Sequence, residues 1–176
     1  MPTTGPSPAV PNKPSAGRRA GLLAARIEEG AARLAALAEG LSDADWRKPA
    51  SATDRRPIGL IVHHVGFVYP PEVDLARAIA AGKPVADLTW EAIAQLNARH
   101  ALDHANVSKA EAIEFLRQKS REAAEAIRAF TDEELDRSGE PGLYFGAPVT
   151  AGFVIEDHAV RHSWHHVAKI RAAVGR

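Results

Sequence analysis

Apolar residues recur at helical spacings along most of this chain, and this periodicity limits the fold more than any other feature. In the first such segment, Leu23, Ile27, Leu34 and Leu41 follow one another at intervals of four and seven residues. These intervals place the side chains on one face of an α-helix, because that helix repeats about every 3.6 residues. We therefore predict an amphipathic helix from Arg18 to Leu41.

A second helix is predicted to begin at Pro57, since proline is well suited to the first position of a helix. The segment "PIGLIVHHVGFVY" that follows is apolar nearly all round, which is typical of a central helix. Pro70 and Pro71 remove two backbone donors and clash with the preceding turn. We expect the helix to kink or restart there before it continues to Gly82.

Three further segments complete the predicted architecture. Thr89 is placed to cap a third helix, and Ser108 with Glu111 forms a capping box for a fourth. A loop rich in glycine and proline, 138–148, precedes a last helix over about 150–174. No segment has the alternating pattern of a strand. The sequence thus predicts an all-α protein, a four-helix bundle with an extra short helix.

Composition divides the chain into a tail and one domain. Residues 1–16 contain five prolines and almost no large apolar side chain, so we expect a disordered tail. The remaining residues, 17–176, are of ordinary size for a single domain. No apolar run approaches the ~20 residues of a membrane span, and no cleavable leader is evident, so a cytoplasmic location is expected.

Charge and cysteine content narrow the chemistry. The 22 basic and 22 acidic side chains balance, which gives no electrostatic reason to expect nucleic acid or a membrane surface as a partner. The chain has no cysteine, so thiolate nucleophiles and thiolate metal ligands are excluded. Any metal must be bound by histidine, aspartate or glutamate.

The last predicted helix carries a histidine stripe. His158, His162 and His166 follow at intervals of four, whereas His165 points about 100° away. Two imidazoles four residues apart on a helix can bind one cation, as in metalloproteases. Two ligands are seldom enough, so a third is expected from a facing helix.

The second helix offers two histidines for that role. His63 and His64 lie in an apolar run, where an imidazole needs a partner to offset its desolvation. Adjacent residues point about 100° apart, so only one can face the same centre, and position alone does not choose between them. A competing pair is His100 with His104, next to Asp103 as a potential carboxylate ligand. Hydrogen-bonded packing histidines are the simpler alternative for all of them.

Two of these segments resemble motifs of the DinB-like (DinB/YfiT-like) superfamily of metalloenzymes. "PIGLIVHHV" resembles the pattern S-x-G-E-I-L-x-H-L, and "HSWHHVAKI" resembles H-x-x-x-H-x-x-Q-I. The resemblance implies a four-helix bundle, expected to be a homodimer, in which His64, His162 and His166 bind a divalent ion such as zinc or nickel. The chain departs from the patterns at Lys169, where glutamine is usual, at the two prolines, and in its additional histidines.

Three imidazoles leave at least one coordination position open, which is typical of a catalytic metal. We therefore expect an enzyme that activates either a low-molecular-weight thiol for S-transfer to a small-molecule substrate, as characterised relatives do, or water for hydrolysis. His63, His100 and His158 are the candidate catalytic residues, and His104 and His165 are candidates for support. The alternative is a non-catalytic, stress-associated bundle that serves in binding or dimerisation.

Overall fold

The computed structural model describes residues 17–175, and most of them are helical. The predicted disordered tail, residues 1–16, lies outside the described residues, as does residue 176. The helices are α1 (Arg18–Glu39), α2 (Asp43–Arg47), α3 (Ile58–Ala80), α4 (Trp90–Asp103), α5 (Lys109–Arg128), α6 (Asp132–Asp136), α7 (Ala151–Val154) and α8 (Arg161–Val174). Within the described range, each helix is too short or too polar to cross a bilayer.

Four long helical segments form the bundle. Helices α1 and α3 both pack along α5, and the C-terminal segment α7–α8 packs against α1 and α3. Fully buried aliphatic side chains fill the centre, with Ile27 from α1, Ile61 from α3, Leu116 from α5 and Ile170 from α8 among them. The apolar periodicity therefore predicted the architecture correctly, because each stripe faces this core.

Helix α3 runs from Ile58 to Ala80 in one piece, so of the two predicted outcomes at Pro70 and Pro71, a kink or a restart, the restart does not occur. Most of its side chains are buried, both before and after the prolines. Helical stability in proteins comes mainly from such packing, so the neighbouring helices hold α3 in one piece despite two missing backbone donors.

The loop before the last helix contains a short antiparallel pair that was not expected. Strands β1 (Ser138–Gly139) and β2 (Val149–Thr150) pair with each other and flank a 3-10 turn at Gly142–Tyr144. Each strand is two residues long, so neither shows an alternating pattern that sequence reasoning could detect. The prediction of no strand is wrong at this point.

The C-terminal segment contains a π-helical turn, Ile155–Val160, between α7 and α8. Its hydrogen bonds run from i to i+5, so each turn takes in an additional residue. The predicted stripe assumed a regular α-helix through His158. The π-turn interrupts that stripe, and His158 is displaced relative to His162 and His166.

Helix α4 lies in the connection between α3 and α5 and is much more exposed than its neighbours. Thr89 caps it as predicted, because its hydroxyl accepts a hydrogen bond from the Ala92 N–H at 3.2 Å. The one buried residue of α4 is His100. Leu102 is 77% exposed, so the helix does not contribute an aliphatic stripe to the core.

Candidate metal centre

Three histidines from two facing helices converge at one end of the bundle. His64 lies on α3, and His162 and His166 lie one turn apart on α8. One nitrogen atom of each ring lies within 4.8 Å of a nitrogen of each of the other two. The ring centroids are 5.0 to 5.9 Å apart. We call His64, His162 and His166 the first triad.

Burial keeps two rings of the first triad neutral. His64 and His166 are each 4% exposed. Removal from water disfavours the imidazolium form and lowers the pKa of both side chains to about 2. A neutral imidazole has a free lone pair at physiological pH, which is the form that binds a metal ion.

The same two rings have buried nitrogens with no partner. Nδ1 of His64 and Nδ1 of His166 are shielded from solvent and accept or donate no hydrogen bond within the described part of the chain. A buried polar atom left unpaired costs free energy, and an ion-binding role is one of the reasons proteins keep such atoms. The donor set of three imidazoles fits a divalent transition metal.

A carboxylate orients the third ring. His162 Nδ1 donates a hydrogen bond to Glu72 Oε1 at 2.8 Å, since an ionised carboxylate can only accept. This bond fixes the tautomer, so His162 Nε2 retains its lone pair. Carboxylate partners of this kind orient ligating histidines and increase their basicity.

Glu72 was missed at the sequence level, although a signal was available. It follows His64 by eight residues, so both lie on the same face of a continuous helix. The sequence predicts a kink or a restart at the prolines, which gives no basis for assigning residues beyond position 71 to the face of the helix that carries His64.

A cavity of about 710 Å³ opens beside the first triad. This volume is in the range of small-molecule sites. All three histidines of the triad line it, and much of the remaining lining is apolar, from Val68, Leu75, Val85, Leu88, Ile93, Leu96 and Leu143. The triad is therefore accessible to a small molecule rather than sealed in the core.

His158 lines the same cavity without joining the triad. The ring is half-buried, and burial lowers its pKa although Glu72 and Asp157 partly oppose that shift. Its Nε2 is buried and has no hydrogen-bond partner among residues 17–175. Tyr144 packs edge-on against the ring at 5.8 Å between centroids and donates a hydrogen bond to Asp157 at 3.1 Å.

The competing histidine pair forms a second group. His100 and His104 of the α4 region meet His63 of α3, with one nitrogen of each ring within 4.8 Å of the others. We call His63, His100 and His104 the second triad. Asp103, the potential carboxylate ligand, instead accepts a hydrogen bond from Arg99 at 2.9 Å on the surface of α4. His165 belongs to neither triad, but its exposed ring packs edge-on against His166 at 5.2 Å between centroids and lines the cavity.

Sequence comparison assigns the family. The family model of the DinB superfamily matches residues 26–170. This chain belongs to the DinB superfamily. No curated protein matches the chain by sequence.

A solved DinB-like structure agrees with the observed fold. YfiT from Bacillus subtilis, described as "a probable metal-dependent hydrolase with an unusual four-helix bundle topology", superposes with a TM-score of 0.71 at 15% identity. The match covers 98% of this chain and 93% of YfiT. At this identity the likeness establishes the fold of this DinB superfamily member.

Proposed function

We propose that this protein is a divalent-metal-dependent enzyme that acts on a small molecule, with His64, His162 and His166 as the metal ligands. One observation carries the proposal. Three imidazoles, two of them buried, neutral and with unpaired nitrogens, converge on the wall of a cavity. The membership in the DinB superfamily and the words "metal-dependent hydrolase" in the description of YfiT support it. Zinc or nickel is the expected ion, because imidazole suits both.

When bound, a divalent ion with an open coordination position supplies the Lewis acidity that makes water or a small thiol nucleophilic near neutral pH. Glu72 holds the His162 ring in the tautomer that ligates through Nε2. We propose His158 as the proton acceptor, because burial lowers its pKa and thereby favours the neutral ring, whose Nε2 has no hydrogen-bond partner among residues 17–175.

The charges around the cavity indicate the class of substrate. Arg56 donates to Asp54 at 2.8 Å, and Arg161 pairs with Asp157 at 3.0 Å. Lys169 lies 3.6 Å from Asp54 as well. Arg56 and Lys169 share the one carboxylate of Asp54, and Glu72, Asp74 and Asp87 also line the cavity, so charges of both signs offset one another. Much of the remaining lining is apolar. We therefore propose a substrate with an apolar portion and little net charge.

Hydrolysis is the leading reaction and thiol transfer the second. The description of YfiT as a probable hydrolase favours water as the nucleophile. The chain itself has no cysteine, so a thiol reaction needs a second small molecule to supply the sulfur. The proposed homodimer and cytoplasmic location rest on the family resemblance and on the sequence, and size-exclusion chromatography with light scattering tests the first.

The test compares untagged wild-type protein with His64→Gln. Each is loaded with Zn²⁺ or Ni²⁺ and assayed against a panel of neutral apolar esters and amides, and against small thiols paired with electrophiles. We expect turnover by the wild type and its loss in His64→Gln, with the melting temperature recorded for both. Glu125→Gln, an exposed substitution on α5 outside the cavity, is the control and should behave as the wild type. Equal metal content and equal turnover in wild type and His64→Gln would overturn the first triad as the metal site of the reaction. Equal metal content without turnover in either protein would favour the non-catalytic alternative.

A further inference from the structure

Helix α4 is attached to the bundle in an unusual way. Its one buried residue is a histidine, while Trp90 and Leu102 remain 52% and 77% exposed. Helices normally dock through an aliphatic stripe, because burial of apolar side chains supplies most of the stabilisation. In α4 the most buried side chain is the imidazole of His100, which is 3% exposed, while Ile93 is only partly buried against the core.

This imidazole lies within the second triad. His100 Nε2 is 2.8 Å from His63 Nδ1, and one nitrogen of His104 lies within 4.8 Å of both groups. His63 stacks on Phe115 with a centroid distance of 4.2 Å, and His100 stacks on Phe67 at 4.3 Å. The two phenylalanine rings therefore restrict the orientation of the two buried imidazoles.

The buried imidazoles of the second triad are not fully hydrogen-bonded. His100 Nδ1 is buried with no hydrogen-bond partner in the described chain. The second triad therefore has a buried imidazole nitrogen that the hydrogen bond between His63 and His100 does not use.

We propose that His63, His100 and His104 form a second divalent-cation site, which fixes α4 on the bundle. An all-imidazole donor set selects ions such as Zn²⁺, Ni²⁺, Co²⁺ or Cu²⁺ over Mg²⁺ and Ca²⁺, which prefer oxygen ligands. Helix α4 supplies Trp90, Ile93 and Leu96 to the wall of the cavity beside the first triad. The second site therefore holds one wall of that cavity in place.

Binding requires two local adjustments. One of the facing nitrogens of His63 and His100 carries the shared hydrogen, and ligation through both moves that proton to the other nitrogen of the same ring. The His104 ring, stacked on His63 at 28°, must turn its edge toward the ion. His104 is the C-cap residue of α4 and only partly buried, so its side chain has room to rotate.

The experiment counts ions per chain in untagged, chelator-stripped protein titrated with Zn²⁺ and dialysed. We expect two ions in the wild type, one in His104→Gln, one in His162→Gln, and none when both substitutions are combined. Glu125→Gln on the exposed face of α5 is the control and should bind two. His104 is partly exposed, so its replacement should leave the fold intact, which the melting temperature checks.

Hydrogen exchange then tests the role of α4. In His162→Gln, where the second triad alone can bind, Zn²⁺ at about 100 times its dissociation constant should slow amide exchange in residues 90–103 by up to about 100-fold. In His104→Gln the same addition should leave this segment unchanged. Unchanged exchange in His162→Gln despite a bound ion would overturn the docking role.

The two proposals fail in different ways. One ion in the wild type, still one in His104→Gln and none in His162→Gln would overturn the second site and leave the proposed function intact. An ion that persists in His162→Gln and is lost in His104→Gln, with one ion in the wild type, would support the second site and overturn the first.

Discussion

The two triads include adjacent residues of α3. They have the same composition but differ in their partner helices and in their surroundings. The first triad uses His64 with two residues of α8, a helix that packs into the bundle. The second triad uses His63 with two residues of the exposed α4 region. Because consecutive helical residues point about 100° apart, one dipeptide contributes a histidine to each triad. The two triads adjoin where the ring centroids of His64 and His100 lie 5.7 Å apart.

The surroundings of the two triads indicate different roles. In the first, Glu72 orients a ring from outside the triad, and a cavity reaches the ligands. In the second, the rings hydrogen-bond to each other and stack on phenylalanines, with His104 at the edge. Histidines that are oriented by a carboxylate and accessible from a cavity, as in the first triad, suit a catalytic metal site. Histidines that pack against one another and against phenylalanines, as in the second triad, suit a site that attaches a helix. The composition of a histidine cluster alone does not distinguish the two.

The two triads are expected to differ most in how strongly a substitution in each reduces enzymatic activity. His166→Gln removes a buried ligand of the first triad and should reduce kcat/KM for the substrate found in the panel by at least about 100-fold, since loss of an orienting partner alone costs about 10- to 100-fold. His104→Gln removes a ligand of the second triad and should reduce it by a few-fold. Steady-state kinetics on Zn²⁺-loaded protein makes the measurement. Equal losses in both variants would mean that the two triads act as one site.

A smaller effect is expected from the carboxylate that orients His162. Glu72→Gln keeps a hydrogen-bond acceptor but removes the charge, so the affinity of the first triad for Zn²⁺ should fall by about 10-fold, the low end for such partners. The second triad should retain its affinity. Competition with a chromophoric chelator resolves the two sites.

Asp103→Asn is the matched control for that measurement. Asp103 is adjacent to the second triad but pairs with Arg99, so we expect no change at either site. A loss of affinity at the second triad in this variant would show that Asp103 is a ligand after all, and that the Arg99 pair opens when the ion binds.

Much of the fold and of the first triad could be predicted from the sequence. The periodic aliphatic residues of α1, α3, α5 and α8 are local signals, so the helices and the bundle followed from them. Adjacent His63 and His64 could not be separated by position. The resemblance to the DinB pattern selected His64, and the structure places that ring beside His162 and His166.

The remaining features depend on tertiary contacts. Whether His100 and His104 face α3 depends on how the exposed α4 docks, and its mixed polarity gives no stripe to predict that orientation. The π-turn around His158 changes the helical phase without a proline or glycine to mark it. The sequence predicts a kink or a restart of the helix at Pro70 and Pro71, whereas packing on both sides of the prolines keeps α3 continuous.

The smallest expected effect concerns the close approach of α3 and α5. Gly66 faces α5, and a Cβ added there would lie 2.9 Å from Phe115 Cδ1 and 3.1 Å from Leu116 Cα. In Gly66→Ala the Phe115 ring must shift, which disturbs its stacking on His63. We expect the free energy of unfolding to fall by about 1 kcal/mol, at the low end for overpacking, and the Zn²⁺ affinity of the second triad to fall by a few-fold. Urea denaturation and the chelator competition measure the two quantities.

Gly21→Ala provides the control, because no atom lies within 4 Å of a Cβ added at Gly21 and the residue is exposed on α1. It should raise the free energy of unfolding by about 0.5–1 kcal/mol through the helix preference of alanine. The first triad should keep its affinity in both variants, since its rings do not stack on Phe115. If Gly66→Ala weakened both triads equally, the stacking on Phe115 would not be what separates them, and the shared backbone of His63 and His64 would have to transmit the change.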